Sequence, residues 1–340
     1  MISVPLSALD LAIVQKGTSA HDALHAAVTV AGHLERLGYH RMWSAEHHGN
    51  RAFASCSPPV IIGQILARTS TLRVGSGGVM LPNQAPLVVA EQFATLDAFH
   101  PGRIDLGMGR GPGTRNAEIA RTLRRGADPA TDEEYQRDVH AVLSLFDEDA
   151  DPPVLPNYHA SLERWLLSSS TTGARLAGEL GLPLAIAHHL RPHNTLEALA
   201  AYRKAFRPSP WLSEPYVLLC VRTICADTDD RADHLAGPSD IGAVHLEEGK
   251  PVEFLAPEEA AAYRYSAAQE QILQRQRQSR AQGSPDTVTR QLTDLLEITA
   301  ADELMLYTPV YDLADRLRSY ELVASRLASI PSRLLPELQQ

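Results

Sequence analysis

Residues 74–113 read VGSGGVMLPNQAPLVVAEQFATLDAFHPGRIDLGMGRGPG. Two short apolar runs, Leu72–Met80 and Ile104–Gly109, read as strands, and the stretch between them, Pro86–Phe99, has the apolar spacing of a helix. Both strand candidates end in glycine-rich sequence, the second with an arginine set among the glycines. A strand, a crossover helix and a second strand make the repeating unit of a parallel sheet.

The same rhythm extends in both directions. Upstream, Leu9–Gln15 and Arg41–Ala45 read as strands, with helices over Ala20–Leu37, ending at Gly38, and over Pro58–Arg68. Downstream, a helix over Asp132–Phe146 precedes four more strands, Arg164–Ser168, Leu184–His188, Tyr216–Ile224 and Glu303–Thr308. Helical patterns at Gly173–Leu180, Asn194–Phe206, Pro285–Leu296 and Leu313–Leu327 accompany them. About eight strand–helix units predict a TIM (β/α)8 barrel spanning residues 1–340 as one domain. Continuous apolar strands such as Tyr216–Val221 suit a parallel sheet buried on both faces. An open doubly wound sheet uses the same alternation, but no dinucleotide fingerprint opens the first unit.

Two segments interrupt the pattern. Asp147–His159, with Asp149, Asp151, Pro152, Pro153 and Pro156, reads as a surface loop. Ala236–Ala256, punctuated by glycine and proline, reads as a candidate lid over the C-terminal mouth. Beyond it a helix is expected over Ala260–Arg280, with its glutamines on a solvated face.

Composition narrows the function classes. The chain has 340 residues, 44% of them hydrophobic, and a formal net charge of −10. An acidic chain without a basic run is unsuited to nucleic acid or an anionic membrane. Three scattered cysteines, Cys56, Cys220 and Cys225, argue against a disulfide framework or a zinc knuckle. The first residues lack a signal peptide's basic start and long apolar core, and no apolar run reaches the roughly 18 residues of a membrane span. A cytoplasmic protein is expected.

Chemistry collects at the strand ends. Glu46, His47 and His48 end the second strand; adjacent side chains point apart, so the two imidazoles are badly placed to share a metal. A single histidine at a barrel mouth serves as a general acid or base, or as a hydrogen-bonded structural group. Gly75, Gly77 and Gly78 allow either a flat ligand's close approach or a bulge. Arg110 between glycines suits a phosphate, or an ion pair within the fold. The hydroxyl run Ser168–Thr172 precedes a helix, where it either caps the helix or binds an anion. His188 and His189 end the sixth strand, with Arg191 and His193 beyond; they read as a polar pocket wall, with a metal site as the alternative that Pro192 between His189 and His193 disfavours.

Taken together, these residues resemble the bacterial luciferase-like flavin monooxygenase superfamily. The likeness rests on Glu46–His48, on residues 74–113 and on the SSSTTGARLAGELGLP run at residues 168–183. It implies a TIM barrel that binds FMN at its C-terminal mouth, with His47 as the catalytic base. It also implies a non-proline cis peptide at Gly77–Gly78 under the flavin ring, with Arg110, Ser169 and Ser170 on the phosphate. Glu46, His48, Phe53 and His189 fall to the substrate pocket. Two details depart: Gly109 stands where bacterial luciferase has cysteine, and Ser168 where relatives begin the phosphate loop with glycine.

The implied reaction uses reduced FMN from a separate NAD(P)H-dependent flavin reductase and O2. A flavin hydroperoxide then oxygenates an organic small molecule by hydroxylation, epoxidation or Baeyer–Villiger-type insertion. The branch resembled is that of natural-product tailoring, as in antibiotic biosynthesis, or of short alkanal-type enzymes. A homodimer through the second and third helices is expected on the same basis. Alternatives are a deazaflavin-dependent hydride-transfer oxidoreductase, a non-catalytic flavin-binding protein and a metal-dependent barrel hydrolase.

Overall fold

Eight parallel strands close into a ring in the computed structural model, which describes residues 4–147, 150–151, 153–156 and 160–327. The ring runs through β1 (Leu6–Asp10), β2 (Arg41–Ser44), β3 (Arg73–Ser76), with its continuation β4 (Val79–Met80), and β5 (Ile104–Gly109). It continues through β6 (Glu163–Ser168), β7 (Leu184–Ile186) and β8 (Val217–Cys225). One further strand, β9 (Arg280–Gly283), lies outside the ring against the end of β8, and β10 (Glu303–Tyr307) closes it. Leu304 is the register partner of both Leu6 and Leu219, so β10 joins the first strand to the seventh. The predicted TIM barrel is therefore the observed fold, as one domain.

Strand alternation divides the core in two. On β8, Val217, Leu219 and Val221 face outward into a core shared with the helices, while Leu218 and Cys220 face inward beside Trp43, Trp165 and Met305. The outer layer comprises α1 (Ala20–Arg36), α2 (Pro58–Leu66), α3 (Pro86–Phe99), α4 (Ala117–Leu123), α5 (Asp132–Ser144), α6 (Thr171–Glu179) and α7 (Thr195–Ala205). It continues as α8 (Asp229–Glu247), α9 (Pro257–Ala261), α10 (Ala267–Arg277), α11 (Pro285–Thr299) and α12 (Leu313–Leu327). Local signals set the helix ends: Ser19 and Asp22 form a capping box at the start of α1, and Gly38, at φ +76°, follows its end.

A buried ionic layer plugs the N-terminal end of the barrel. Arg41 reaches Asp105 and Glu303 at 2.8 Å and Glu163 at 2.9 Å, and Arg73 also holds Asp105. Burial opposes the charge on Asp105, but Arg41 and Arg73 outweigh it and hold the carboxyl at about 2. Buried charges persist only when paired this closely. Above this layer Trp43 and Trp165 meet edge to face, their ring centres 5.2 Å apart. The filled interior leaves ligand chemistry to the opposite end.

The structure departs from the sequence expectations in four places. The first strand is Leu6–Asp10, not Leu9–Gln15: Ala12 turns at φ 45°, while Leu11 and Ile13 stay buried in the inner core. The expected strand Leu72–Met80 is split into β3 and β4, the break falling at Gly77–Gly78, where the cis peptide implied by the family resemblance is observed. The candidate lid Ala236–Ala256 is mostly helix, because α8 continues through Pro238 to Glu247 and leaves only residues 248–256 as a loop. Its glycines permit close packing: a Cβ on Gly237 would stand 3.2 Å from Ala260, and one on Gly242 3.4 Å from Val252. Finally, Ala260–Arg280 is broken into α9, α10 and the start of β9, with Ser266 and Gln269 forming a capping box for α10. Within the expected loop Asp147–His159, Asp149 and Pro152 lie outside the described residues, and Val154 is buried in the core. Among the described residues no helix is long and apolar enough to cross a membrane.

Candidate active site

Three strand ends converge at the C-terminal mouth. Glu46, just past β2, accepts a hydrogen bond from the Met80 backbone N–H at 3.0 Å, and its other oxygen meets His48 Nε2 at 2.9 Å. The His48 backbone N–H donates to the Gly113 carbonyl at 2.8 Å. Gly113 sits at φ +69°, and a Cβ there would stand 3.0 Å from the Glu46 carbonyl oxygen. Glu46 and His48, expected in the substrate pocket, are thus occupied in tying β2, β4 and the loop after β5 together.

His47 points elsewhere. Its backbone N–H donates to the Ser55 carbonyl at 2.9 Å, and its ring centre lies 5.0 Å from that of Phe53. Nδ1 is buried with no hydrogen-bond partner among the described residues. Burial, reinforced by His48 and opposed by Glu46, pushes the imidazole down to about 4. The near-neutral value expected for a mouth histidine is therefore replaced by a ring that is neutral at physiological pH.

Phe53 in turn packs edge-on against Phe254 of the 248–256 loop, with ring centres 6.1 Å apart. The loop is anchored to the barrel by a parallel bridge between Gln15 and Phe254. Phe254 belongs to the Ala236–Ala256 segment expected over the mouth, although no signal in the sequence singled it out within that segment.

The end of β7 contributes His189. Its Nδ1 approaches the Cys220 carbonyl at 3.3 Å, a contact that only an Nδ1–H can make, and its ring centre is 5.6 Å from Tyr307. Burial lowers it to about 4, against the hydrogen bond it donates to the Cys220 carbonyl and with the Arg222 guanidinium acting in the same direction as burial. His188 turns away and meets Thr195 Oγ1 at 2.9 Å.

Across the mouth, Met108 of β5 pairs in register with Leu166 of β6, so Arg110 and Ser168–Ser170 emerge from neighbouring strand ends. Ser170 caps α6 by accepting from the Gly173 N–H at 3.3 Å, and Ser168 Oγ accepts from the Ser170 N–H at 3.0 Å. The Ser169 carbonyl accepts from Asn194 Nδ2 at 3.2 Å. Arg110 is half exposed and ion-paired with Asp132, the first residue of α5. Gly78 backs onto β5, where an added Cβ would lie 2.8 Å from the Gly107 carbonyl oxygen. A movable guanidinium, capping hydroxyls at a helix N-terminus and a side-chain-free strand end are a donor set that fits a flavin mononucleotide.

The sequence profile of the luciferase-like monooxygenase family matches residues 6–303. The chain belongs to this family. A luciferase-like monooxygenase from Escherichia coli (strain K12) is 39% identical over 94% of this chain and 96% of its own length. The N-acetyl-S-alkylcysteine monooxygenase of Bacillus subtilis (strain 168) is 31% identical over 94% of this chain and 97% of its own. Among solved structures, apo-MsnO8 is 34% identical and superposes with a TM-score of 0.87 over 96% of this chain and 99% of that one. This protein is accordingly an enzyme of the luciferase-like monooxygenase family.

Sequence reasoning missed one polar group at the mouth, Arg222. It is the single charge in the strand VLLCVRTIC, on the inward-facing register of Leu218 and Cys220. A lone arginine at that phase of a buried strand was a legible signal.

Proposed function

We propose that the protein is an FMN-dependent monooxygenase that oxygenates an organic small molecule at the C-terminal mouth. The observation that carries this reading is a half-buried, neutral His47, its Nδ1 buried without a hydrogen-bond partner among the described residues, at the same barrel mouth as Arg110, Ser169 and Ser170. When bound, reduced FMN supplies the two electrons with which one atom of O2 enters the product and the other leaves as water.

The chain's own groups bind and position. Arg110 exchanges Asp132 for the flavin phosphate, and the Ser169 and Ser170 hydroxyls and the α6 N-terminus complete the cradle. Gly77 and Gly78 leave the strand end open to the flat ring. His47 holds or releases a proton at Nδ1, while Phe53, Phe254 and the 248–256 loop exclude water. Glu46 and His48 position His47 by fixing the loop that carries it. Since the sequence carries no nicotinamide fingerprint, reduced FMN comes from a separate NAD(P)H-dependent reductase. The N-acetyl-S-alkylcysteine relative supports a small organic substrate.

Fluorescence titration with FMN tests the assignment. Arg110→Ala should weaken binding by about 1.5–3 kcal/mol through loss of a charge-assisted phosphate contact. Unchanged FMN affinity in that variant would remove the phosphate assignment. Tight binding of a deazaflavin with none of FMN would move the reading to hydride transfer.

The protein is also proposed to dimerise through α2 and α3. Val60 and Phe99 are 65% and 74% exposed there and line a groove of about 510 Å³ between the two helices. Sedimentation should show a dimer at micromolar concentration that Phe99→Glu converts to monomer; a monomeric wild type would end this proposal.

A further inference from the structure

The inward face of β8 carries Leu218, Cys220 and, last before the mouth, Arg222. Its register partners are Tyr307 of β10 and Arg280 of β9. Register partners on adjacent strands share a face, so two guanidiniums stand side by side. They share one carboxylate. Asp240 of α8 accepts from Arg222 Nη2 at 2.9 Å and is also ion-paired with Arg280, and Ser239 Oγ accepts from Arg222 as well. Arg222, Arg280, Ser239 and Asp240 are all buried; a third guanidinium, Arg277, approaches Asp240 at 3.8 Å from a half-exposed position.

The cluster is unbalanced. Two buried cations face one buried anion, and Arg222 Nε is buried with no hydrogen-bond partner among the described residues. Excess buried charge and an unmatched donor are each costly, and both are relieved by an anion. The imbalance acts on Arg280, which burial, and after it the charge of Arg222, push down to about 10. The neighbouring rings offer no negative charge at neutral pH: burial raises Tyr307 to about 12 and leaves His189 neutral. Tyr307, the register partner of Arg222, has its ring centre 5.6 Å from that of His189, so the arginine lies next along the mouth from the proposed reaction centre.

We propose that Arg222, with Arg280 beside it, binds the carboxylate of the substrate, so that the enzyme takes organic acids whose apolar part extends toward His189 and His47. The inference rests on the oxygenase reading only in calling that ligand the substrate. A phosphate of the cofactor carries similar charge, and the test separates the two.

Calorimetric titration of the full chain with octanoate and with neutral octanamide, without and with saturating FMN, reads the site directly. Octanoate should bind about tenfold or more tighter than octanamide in both conditions. Arg222→Gln should abolish that preference, and Arg222→Lys, which keeps the charge, should retain part of it. Asp240→Asn, which removes the resident counter-ion, should increase the preference for octanoate while lowering the melting temperature. An anchor that only fixes α8 and β9 to the barrel predicts lower stability in all three variants with no change in preference. That result, or equal binding of octanoate and octanamide by the wild type, would overturn the proposal. Displacement of octanoate by FMN would assign the arginines to the cofactor phosphate and also overturn it. Failure of FMN to bind, with the octanoate preference intact, would remove the flavin reading and leave the carboxylate site standing.

Discussion

At the scale of single residues, environment sets chemistry that residue type alone does not. His47 is legible as a histidine at a strand end, but its protonation is decided by Phe53 and the buried mouth, which are distant in sequence or outside any motif. With the imidazole at about 4, His47 stays neutral from pH 6 to 8 and titrates only well below that range. His47→Asn should leave FMN affinity near wild type and slow oxygenation by about 10²–10⁴-fold, the usual contribution of a positioned acid–base group. In the wild type, the contribution of His47 to the pH–rate profile should be flat from pH 6 to 8. A break near pH 6.5 that disappears in His47→Asn would show that burial does not control the ring. Arg110 is the converse case. Both readings open to it in the sequence, ion pair and phosphate ligand, are compatible with its half-exposed pairing to Asp132.

At the scale of elements, most of the barrel was legible because its strands and helices obey local rules. Pro86–Phe99 and Ile104–Gly109 are observed with the expected ends, since a proline opens the first and a continuous apolar run defines the second. What escaped were segments whose form depends on contacts across the chain. Gly237, Pro238 and Gly242 imitate a loop locally, yet Ala260 of α9 and Val252 pack closely against α8 at Gly237 and Gly242. The split between β3 and β4 is likewise set by packing of Gly77 and Gly78 on their neighbours. A Cβ on Gly78 would stand 2.8 Å from the Gly107 carbonyl oxygen and 3.2 Å from the Gly109 N, both part of β5 and unable to move alone. Gly78→Ala should therefore destabilise the fold by about 1–3 kcal/mol and weaken FMN binding. Urea denaturation and FMN titration of the variant read the two effects; wild-type values for both would mean that the strand end is open rather than close-packed.

At the scale of the molecule, the barrel separates stability from chemistry. The Arg41 layer fills the N-terminal end, and the neutral histidines stand at the other. Those histidines also make stability depend on pH. In the unfolded chain each protonates near 6.5, whereas folded His47 and His189 resist protonation until about 4. The unfolded state then binds more protons between those values, so stability is intact above pH 6.5 and falls as the pH drops toward 4. Each partly buried ring should contribute about 1 kcal/mol to that loss, allowing for solvent screening. Melting curves between pH 7 and 4.5 should show the decline, and it should be shallower in a His47→Asn, His189→Asn double variant. An equal slope in that variant would place the acid sensitivity elsewhere.

The central claim, that this mouth uses reduced FMN to activate O2, is tested most directly by rapid mixing. The protein loaded anaerobically with reduced FMN is mixed with oxygenated buffer while the flavin spectrum is followed. The account predicts a transient phase, spectrally distinct from reduced and oxidised flavin, that outlasts the reoxidation of free reduced FMN. Direct return to oxidised flavin at the rate of free FMN would contradict it.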